Sequence, residues 1–486
     1  MSNLADNTHN NTEPPAVTGG ESKGRNKFLV AVLSAIFVVP LSVSGTAVAL
    51  ADIGRDIGAD PVGQQWALNG FNVTFAASTL AWGSLADHIG RWRSFLTGGM
   101  IFIIGSAISF IAPNYVILDS ARIITGLGAG AIFSVGSALL SVVFTGSERA
   151  RVFAMMGAVA GLSLAFGPTF SGWITQTLSW RYIFAIHGTF LVISWLLMLT
   201  SRSLTRNEPR AEGTFDWPAA LLFFGFTAAI VSSMVFASSG NLLNAPVLVT
   251  GVVGLGCLIG LIMRERNIKH PLLNFRLITQ PRFLGVSLTV AIASFTFGPF
   301  VTYTPSLLQA AGGFSPIGSG LFMMFMTIPT LITPLIAGAF VARGASPRVA
   351  LTVSAGLMIL GTAVASIVSS SSIVLLASLM VVIGIGFGIH AGLVDNEGLA
   401  SAPDKDAGMA AGWINTMRVG TEAIAVSLFG AVFVPSLAQA DAAAASFRII
   451  GILSASVGLV IGIISATSMF RPITESTKNN QLEQES

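Results

Sequence analysis

Charge is what this chain has least of. Lysine, arginine, aspartate and glutamate make up 10% of its 486 residues, against roughly 25% in an ordinary soluble domain, too few to cover a water-facing surface. Cysteine is nearly absent: Cys257 stands alone in an apolar run, cannot form an intramolecular disulfide, and reads as an inert thiol. No lysine follows a glycine anywhere, which removes the GxxxxGK[ST] phosphate loop and with it an intrinsic ATPase. HExxH and CxxC are missing too, so neither a metal site nor a catalytic constellation is expected. No filter segment or ring of charge marks a channel. The first 27 residues lack the apolar core of a signal peptide and read, like 472–486, as a polar disordered cytoplasmic tail.

Apolar residues fill the space that charge leaves. The chain is 53% hydrophobic with 52 glycines, and its mean hydropathy is +0.77. Uncharged runs recur from Phe28 to Phe470, and a helix needs about 20 such residues to cross the hydrocarbon core. The runs are continuous rather than alternating, which selects a helix bundle over a barrel. The reading is an all-α polytopic membrane protein with spans at 28–50, 65–84, 94–112, 116–144, 151–175, 181–201, 216–238, 245–263, 283–309, 316–341, 347–369, 372–394, 409–434 and 447–470. Fourteen spans put both termini on one side. With that side cytoplasmic, all but five of the 25 basic residues fall in inside segments; the exceptions are Arg55, Arg181 and Arg448 outside, and Arg122 and Arg418 within spans. This is the bias that the positive-inside rule demands. The expected location is therefore the inner (plasma) membrane, with both termini cytoplasmic.

The longest basic stretch, Arg264 to Arg282, separates the eighth and ninth spans. Six spans precede the pair at 216–238 and 245–263, and six follow it. The expected organisation is a tail over 1–27, a six-helix bundle over 28–205, an inserted two-helix hairpin over 206–265, a cytoplasmic linker over 266–282, a second six-helix bundle over 283–471, and a tail over 472–486. Paired bundles around a central site are one route to alternating access.

Between the second and third spans stands GSLADHIGRWR. Gly83 permits close helix contact and Gly90 a tight turn. Asp87 can sit against a helix N-terminus or an arginine such as Arg91, in a contact that forms in one conformation and breaks in another. Arginine in such a loop also serves topology alone, but the whole pattern G-x-L-x-D-x-x-G-R-x-R is far more specific than its parts.

That pattern resembles the signature loop of the major facilitator superfamily. LDSARIITGLGAG, with Asp119 and Arg122, resembles the superfamily's fourth-helix arginine motif. GLSLAFGPTFSGW, with Gly161, Gly167, Pro168 and Gly172, resembles its antiporter Gly-Pro motif, and Trp180 to Phe184 resembles the sixth-helix start of the fourteen-span drug:proton antiporter branch. GAFVARGASPR (Gly338 to Arg348) is a degenerate copy of the loop motif without its aspartate. The resemblance implies the superfamily fold, two six-helix bundles plus an inserted hairpin. It implies proton-coupled export of a small hydrophobic or amphipathic compound, with the proton gradient in place of a cofactor. The implied partners are the lipid bilayer, a small-molecule substrate and protons, with no nucleic acid, and the implied state is a monomer. A metabolite or siderophore permease of the same fold, or a membrane receptor without transport, stays open.

Residues for coupling follow from charge placed in apolar runs. Arg122 near the start of its span is either a coupling residue or a snorkelling side chain held by Asp119 three positions earlier. Glu422, in the middle of the thirteenth span, has Arg418 one turn before it on the same face, which makes either a proton-exchanging site or a static ion pair. His390 in the twelfth span is either a relay or a side chain hydrogen-bonded to a neighbouring helix. Asp395 and Glu397 are expected at the cytoplasmic mouth. In SVSGTAVALADI, Ser42 and Ala51 stand where the drug-antiporter branch often has an acid and a proline, which leaves Glu422 as the main intramembrane acid and disfavours an obligately dicationic substrate. Pro168 is expected to bend its span. Asn69, Asn72, Phe297, Tyr303, Trp413 and Asn415 are the expected cavity residues.

Overall fold

A computed structural model describes residues 19–58, 61–205, 214–237, 244–266, 268, 272–310, 312–314, 316–367, 372–403, 406–433 and 439–471. Every regular element among them is helical. The first six long helices are α1 (Gly19–Ile57), α2 (Pro61–Ile89), α3 (Arg91–Ile111), α4 (Tyr115–Val143), α5 (Gly146–Thr177) and α6 (Arg181–Leu199). A pair follows, α7 (Trp217–Ala237) and α8 (Ala245–Glu265), then a single turn α9 (Phe275–Ile278). The rest is α10 (Pro281–Thr296), α11 (Gly298–Ala310), α12 (Pro316–Ala342), α13 (Pro347–Ile367), α14 (Ile373–Ala400), α15 (Ala407–Phe433) and α16 (Ala440–Met469). Helix α1 begins at Gly19, within the expected tail; the remainder of both expected tails lies outside the described residues.

Local chemistry sets several boundaries. Asn114 and Asn244 cap α4 and α8, their side chains accepting from the Ile117 and Val247 backbone N–H groups at 3.0 Å. Asp216 does the same for α7, accepting from Ala219 at 3.1 Å. Each cap satisfies a backbone donor that a helix start leaves without a partner. Gly90, at φ 100°, turns the chain from α2 into α3.

Among the described residues, eleven segments are long and apolar enough to cross a membrane. Helices α2, α5 and α15 run 29, 32 and 27 residues. Polar side chains on α5 and α15 bond to other helices: Ser163 donates to the Phe37 carbonyl of α1, Thr416 meets Thr79 of α2, and Arg418 pairs with Asp395 of α14. Two spans differ from simple rods. The expected span 283–309 divides at Phe297 into α10 and α11, and Gly298 at the break leaves room for Glu422, whose Cγ would lie 3.3 Å from an added Cβ. Helix α14 is interrupted at Ala391 (ψ 129°) and Gly392 (φ 80°).

Helices α1 to α6 pack mainly on one another, as do α10 to α16, and α7 with α8 forms a hairpin. The hairpin lies across the seam, since α7 touches both α2 and α15. The two bundles meet along α2 with α15, and along α5 with α12 and α14. Side-chain contacts orient the ends. Arg25 bonds the Val143 carbonyl at 3.3 Å and Glu148 at 2.5 Å, which brings together the start of α1, the end of α4 and the start of α5. At the opposite end Arg181 pairs with Asp56 and donates to the Ala112 carbonyl at 3.2 Å.

Candidate functional site

The bundles touch through glycines at the end that carries Asp87. A Cβ on Gly83 would lie 2.0 Å from the Gly408 carbonyl oxygen, and one on Gly412 would lie 2.7 Å from the Leu80 Cα. On the other seam, a Cβ on Gly338 would meet the Ala154 Cβ at 2.3 Å, and one on Gly161 the Thr330 carbonyl oxygen at 3.0 Å. Only hydrogen fits at such separations, so backbones abut. Gly161 stands 15 residues into α5, a rise of about 22 Å, so these contacts run from the Asp87 end to mid-depth.

Among the described residues, one carboxylate bonds across the seam. Asp87, 3% exposed, accepts from the Gly408 backbone N–H on Oδ1 and from the Met409 N–H on Oδ2, both at 2.9 Å. These groups are the start of α15, where free N–H donors and the helix dipole favour an anion. Arg91 donates to the same carboxylate, from Nη2 at 2.9 Å and Nε at 3.2 Å. Asp87 is therefore held by its own loop on one side and by the other bundle on the second. The degenerate copy of the motif has Gly338 against α5, with Ala342 where the acid would be.

In the first bundle Arg122 is fully buried. Its Nε donates to the Ala67 carbonyl and its Nη1 to the Ser42 hydroxyl, both at 2.8 Å. The guanidinium lies over the Phe71 ring at 4.4 Å and near Phe184 at 5.5 Å. This planar, stacked environment suits arginine and not lysine. Arg122 thus joins α1, α2, α4 and α6 instead of snorkelling to an interface. Asp119 lies one turn before it on α4. Gly167 packs on Ser44 of α1, Gly172 lies further along α5, and the Pro168 backbone is helical within α5 while its side chain lies outside the described residues.

In the second bundle the pairing differs from what helical spacing suggests. Arg418 donates to Asp395 Oδ2 at 2.8 Å, across from α15 to α14, and to Asn415 Oδ1 on its own helix. Glu422 is exposed, beside the α10–α11 break, and forms no ion pair among the described residues. The expected Arg418–Glu422 pair is corrected because the break in α14 turns Asp395 toward Arg418, which spacing along α15 cannot reveal. Asp395 and Glu397 do not line an open mouth either; both are 2% exposed. Glu397 accepts from Arg282 at 2.7 Å and Arg348 at 3.2 Å, tying α10 and α13 to α14. His390 Nδ1 is buried with no hydrogen-bond partner among the described residues.

The expected cavity residues divide. Asn69 and Asn72 are half-buried and continue, at helical spacing, the stripe of α2 that meets α15 at Thr79 and Gly83; Thr79 and Thr416 hydroxyls lie 2.6 Å apart. Phe297 stacks on Phe387 at 3.8 Å, Tyr303 donates to the Val426 carbonyl at 2.5 Å, and Asn415 donates to the Ala411 carbonyl at 2.9 Å. All three are buried in this conformation; Phe297 and Tyr303 contact α14 and α15, while Asn415 bonds within α15. Trp413 is half-buried against the main core. No group of three or more metal-ligating side chains occurs among the described residues.

Two helical bundles meeting through bare backbone and one cross-seam carboxylate, with arginines buried at depth, define an integral membrane transporter and not an enzyme. The chain belongs to the Major Facilitator Superfamily, whose family model matches residues 32–426. It is 28% identical over 400 residues to the uncharacterized transporter YebQ of Escherichia coli, covering 80% of this chain and 85% of that one. It is 27% identical over 386 residues to the drug efflux pump JefA of Mycobacterium tuberculosis, covering 79% and 75%. The multidrug resistance protein Stp of the same species is 26% identical over 409 residues, covering 83% and 75%. In fold, the chain is similar to the human organic anion transporter MFSD10, with a TM-score of 0.64, 14% identity, and coverage of 92% of this chain and 100% of that one.

Proposed function

We propose that this protein is a proton-coupled antiporter that exports a small hydrophobic or amphipathic compound by alternating access. The observation that carries the reading is the Asp87 carboxylate bound to the start of α15 across a glycine-lined seam. A seam held by a few charge-assisted bonds, rather than by interlocking side chains, can open and re-form. Similarity to drug efflux pumps supports the export direction and the substrate class. Helices α2, α5 and α15, added to the eleven apolar segments, make fourteen spans in a six-plus-two-plus-six division. With the charge bias of the loops, this division supports a reading in which the Asp87 end and both termini face the cytoplasm, in an inner (plasma) membrane protein that works as a monomer without a cofactor. Arg122, Glu422 and Arg418 are the coupling groups, and Asn69 and Asn72 line the substrate path. Ser42, in place of an acid, turns the site away from obligately dicationic compounds.

Inside-out membrane vesicles with a pre-formed acid interior test the reading with a panel of amphipathic dyes and antibiotics. At least one compound should dissipate the gradient, and Glu422→Gln should abolish that dissipation. No dissipation with any compound, together with uptake by intact cells, would sink the exporter; unchanged flux in Glu422→Gln would make Glu422 structural.

A further inference from the structure

The segment that follows the break in α14 is gripped from two sides. The first bundle holds it through Arg149 of α5, whose Nη2 donates to the Asn396 carbonyl at 3.0 Å. Gly392 lies so close to α5 that a Cβ on it would meet the Phe153 carbonyl oxygen at 2.2 Å. The second bundle holds the same segment through Asp395, bonded to Arg418 at 2.8 Å. Asp395 and Asn396 are chain neighbours, so a single peptide unit separates the contact between bundles from the pairing of Arg418.

Arg418 has a second carboxylate within reach. Glu422 stands one turn further along α15, where residues four apart are neighbours, and it is exposed with no ion pair among the described residues. The backbone between them is pinned: the Arg418 carbonyl accepts from the Ser294 hydroxyl at 3.3 Å, and the Thr421 hydroxyl donates to Ser294 at 2.8 Å. The guanidinium can therefore swing while its helix stays in place. Oδ1 of Asp395 is buried with no hydrogen-bond partner among the described residues, so in this state the carboxylate depends on Arg418 for compensation. A buried carboxylate that loses its cation is strongly disfavoured, whereas one reached by water is not.

We infer that Asp395 is a positioning residue of the transport cycle: it holds Arg418 while Arg149 and Gly392 keep the bundles in contact, and it yields Arg418 to Glu422 when that contact opens. The inference rests on the alternating-access reading. Opening at the Asp87 end hydrates Asp395 and removes the cost of leaving it unpaired, while Glu422 takes the guanidinium. Pairing and bundle contact then bias each other, because a coupling free energy between two sites acts in both directions.

Spin labels on Ser147→Cys and Ser346→Cys, both exposed positions near the Asp87 end, report the separation of the bundles in a Cys257→Ser protein in lipid nanodiscs. Asp87→Asn is the opening control and should add a longer distance by loosening the seam. In that background Glu422→Gln, which removes no bond of the closed state, should lower the long-to-short population ratio by roughly 5-fold or more, the low end of ordinary coupling. Asp395→Asn should raise the ratio by a similar factor, and adding Glu422→Gln to it should cancel the rise. If Asp87→Asn lengthens the distance and Glu422→Gln leaves the ratio unchanged, the pairing is static and the inference falls, whether or not Asp395→Asn folds. If Asp87→Asn itself gives one short distance, alternating access at this seam fails, and the exchange fails with it.

Discussion

Nη1 of Arg122 donates a 2.8 Å hydrogen bond to the hydroxyl of Ser42, so a neutral oxygen from α1 receives a guanidinium fully buried within the first bundle. Ser42 is 1% exposed, and its backbone carbonyl receives a second, longer contact of 3.4 Å from the same arginine. Ser42→Ala leaves a charged donor without its partner, which costs about 1–3 kcal/mol. The melting temperature of the detergent-solubilised protein should fall accordingly. Arg122→Lys should fall further, since one ammonium cannot reach both Ser42 and Ala67 or stack on Phe71.

Gly83→Ala drives a methyl group to within 2.0 Å of the Gly408 carbonyl. Because the obstacle is backbone, the helices must separate, at about 1–3 kcal/mol for such overpacking. Met409, 4% exposed beside the Asp87 carboxylate, supplies the readout. In a Cys257→Ser protein bearing Met409→Cys, maleimide labelling should quicken about tenfold when Gly83→Ala is added, as 1.4 kcal/mol is a factor of ten. An unchanged rate would show that the seam accommodates the methyl.

Gly392→Ala combines two penalties, the left-handed φ of 80° and the Phe153 carbonyl 2.2 Å from the new methyl. The backbone conformation alone costs roughly 1–2 kcal/mol for an L-residue. Gly356→Ala, where nothing lies within 4 Å of the new Cβ, should be neutral or stabilising by up to about 1 kcal/mol. Comparison of the two melting temperatures separates the demand of the α14 break from the general cost of altering a glycine.

Asp56 lies beyond the apolar part of α1, where Arg181 and then Trp180 hold its carboxyl below the ordinary range. The Trp180 indole donates to it at 3.0 Å. A carboxyl lowered by folding stabilises the protein above its unfolded pKa of about 3.9 and loses that contribution as pH falls through its folded value. The side chain is 48% exposed, so solvent screening keeps the effect small. Asp56→Asn should melt slightly below the parent protein at pH 7, and the two should converge in strong acid. A gap that persists there would assign the effect to packing instead.

Much of this architecture was open to reading from residues alone. Scarce charge and recurrent apolar runs can only be satisfied by spanning helices, since backbone in hydrocarbon must bond to itself. The loop from Gly83 to Arg93 was specific enough to predict a close helix contact at Gly83 and an acid set against a helix N-terminus or an arginine at Asp87. What residue order could not supply was partners. Arg418 and Glu422 share a face of α15, and spacing alone pairs them, yet Asp395 takes the arginine because Gly392 bends α14 between Ala391 and Asp395. Nothing in the sequence distinguishes a glycine that bends a helix from one that lets helices pack.

The same division holds for the buried charges as a group. Composition and order determined that Arg122, Arg418 and Glu422 lie within apolar segments and must be compensated there. Only the tertiary structure decided by what: a serine hydroxyl and two aromatic faces for Arg122, one of two nearby carboxylates for Arg418. Hydrophobicity is a property each residue carries along the chain, whereas the partner of a charge depends on which helices the fold brings within about 3 Å of it.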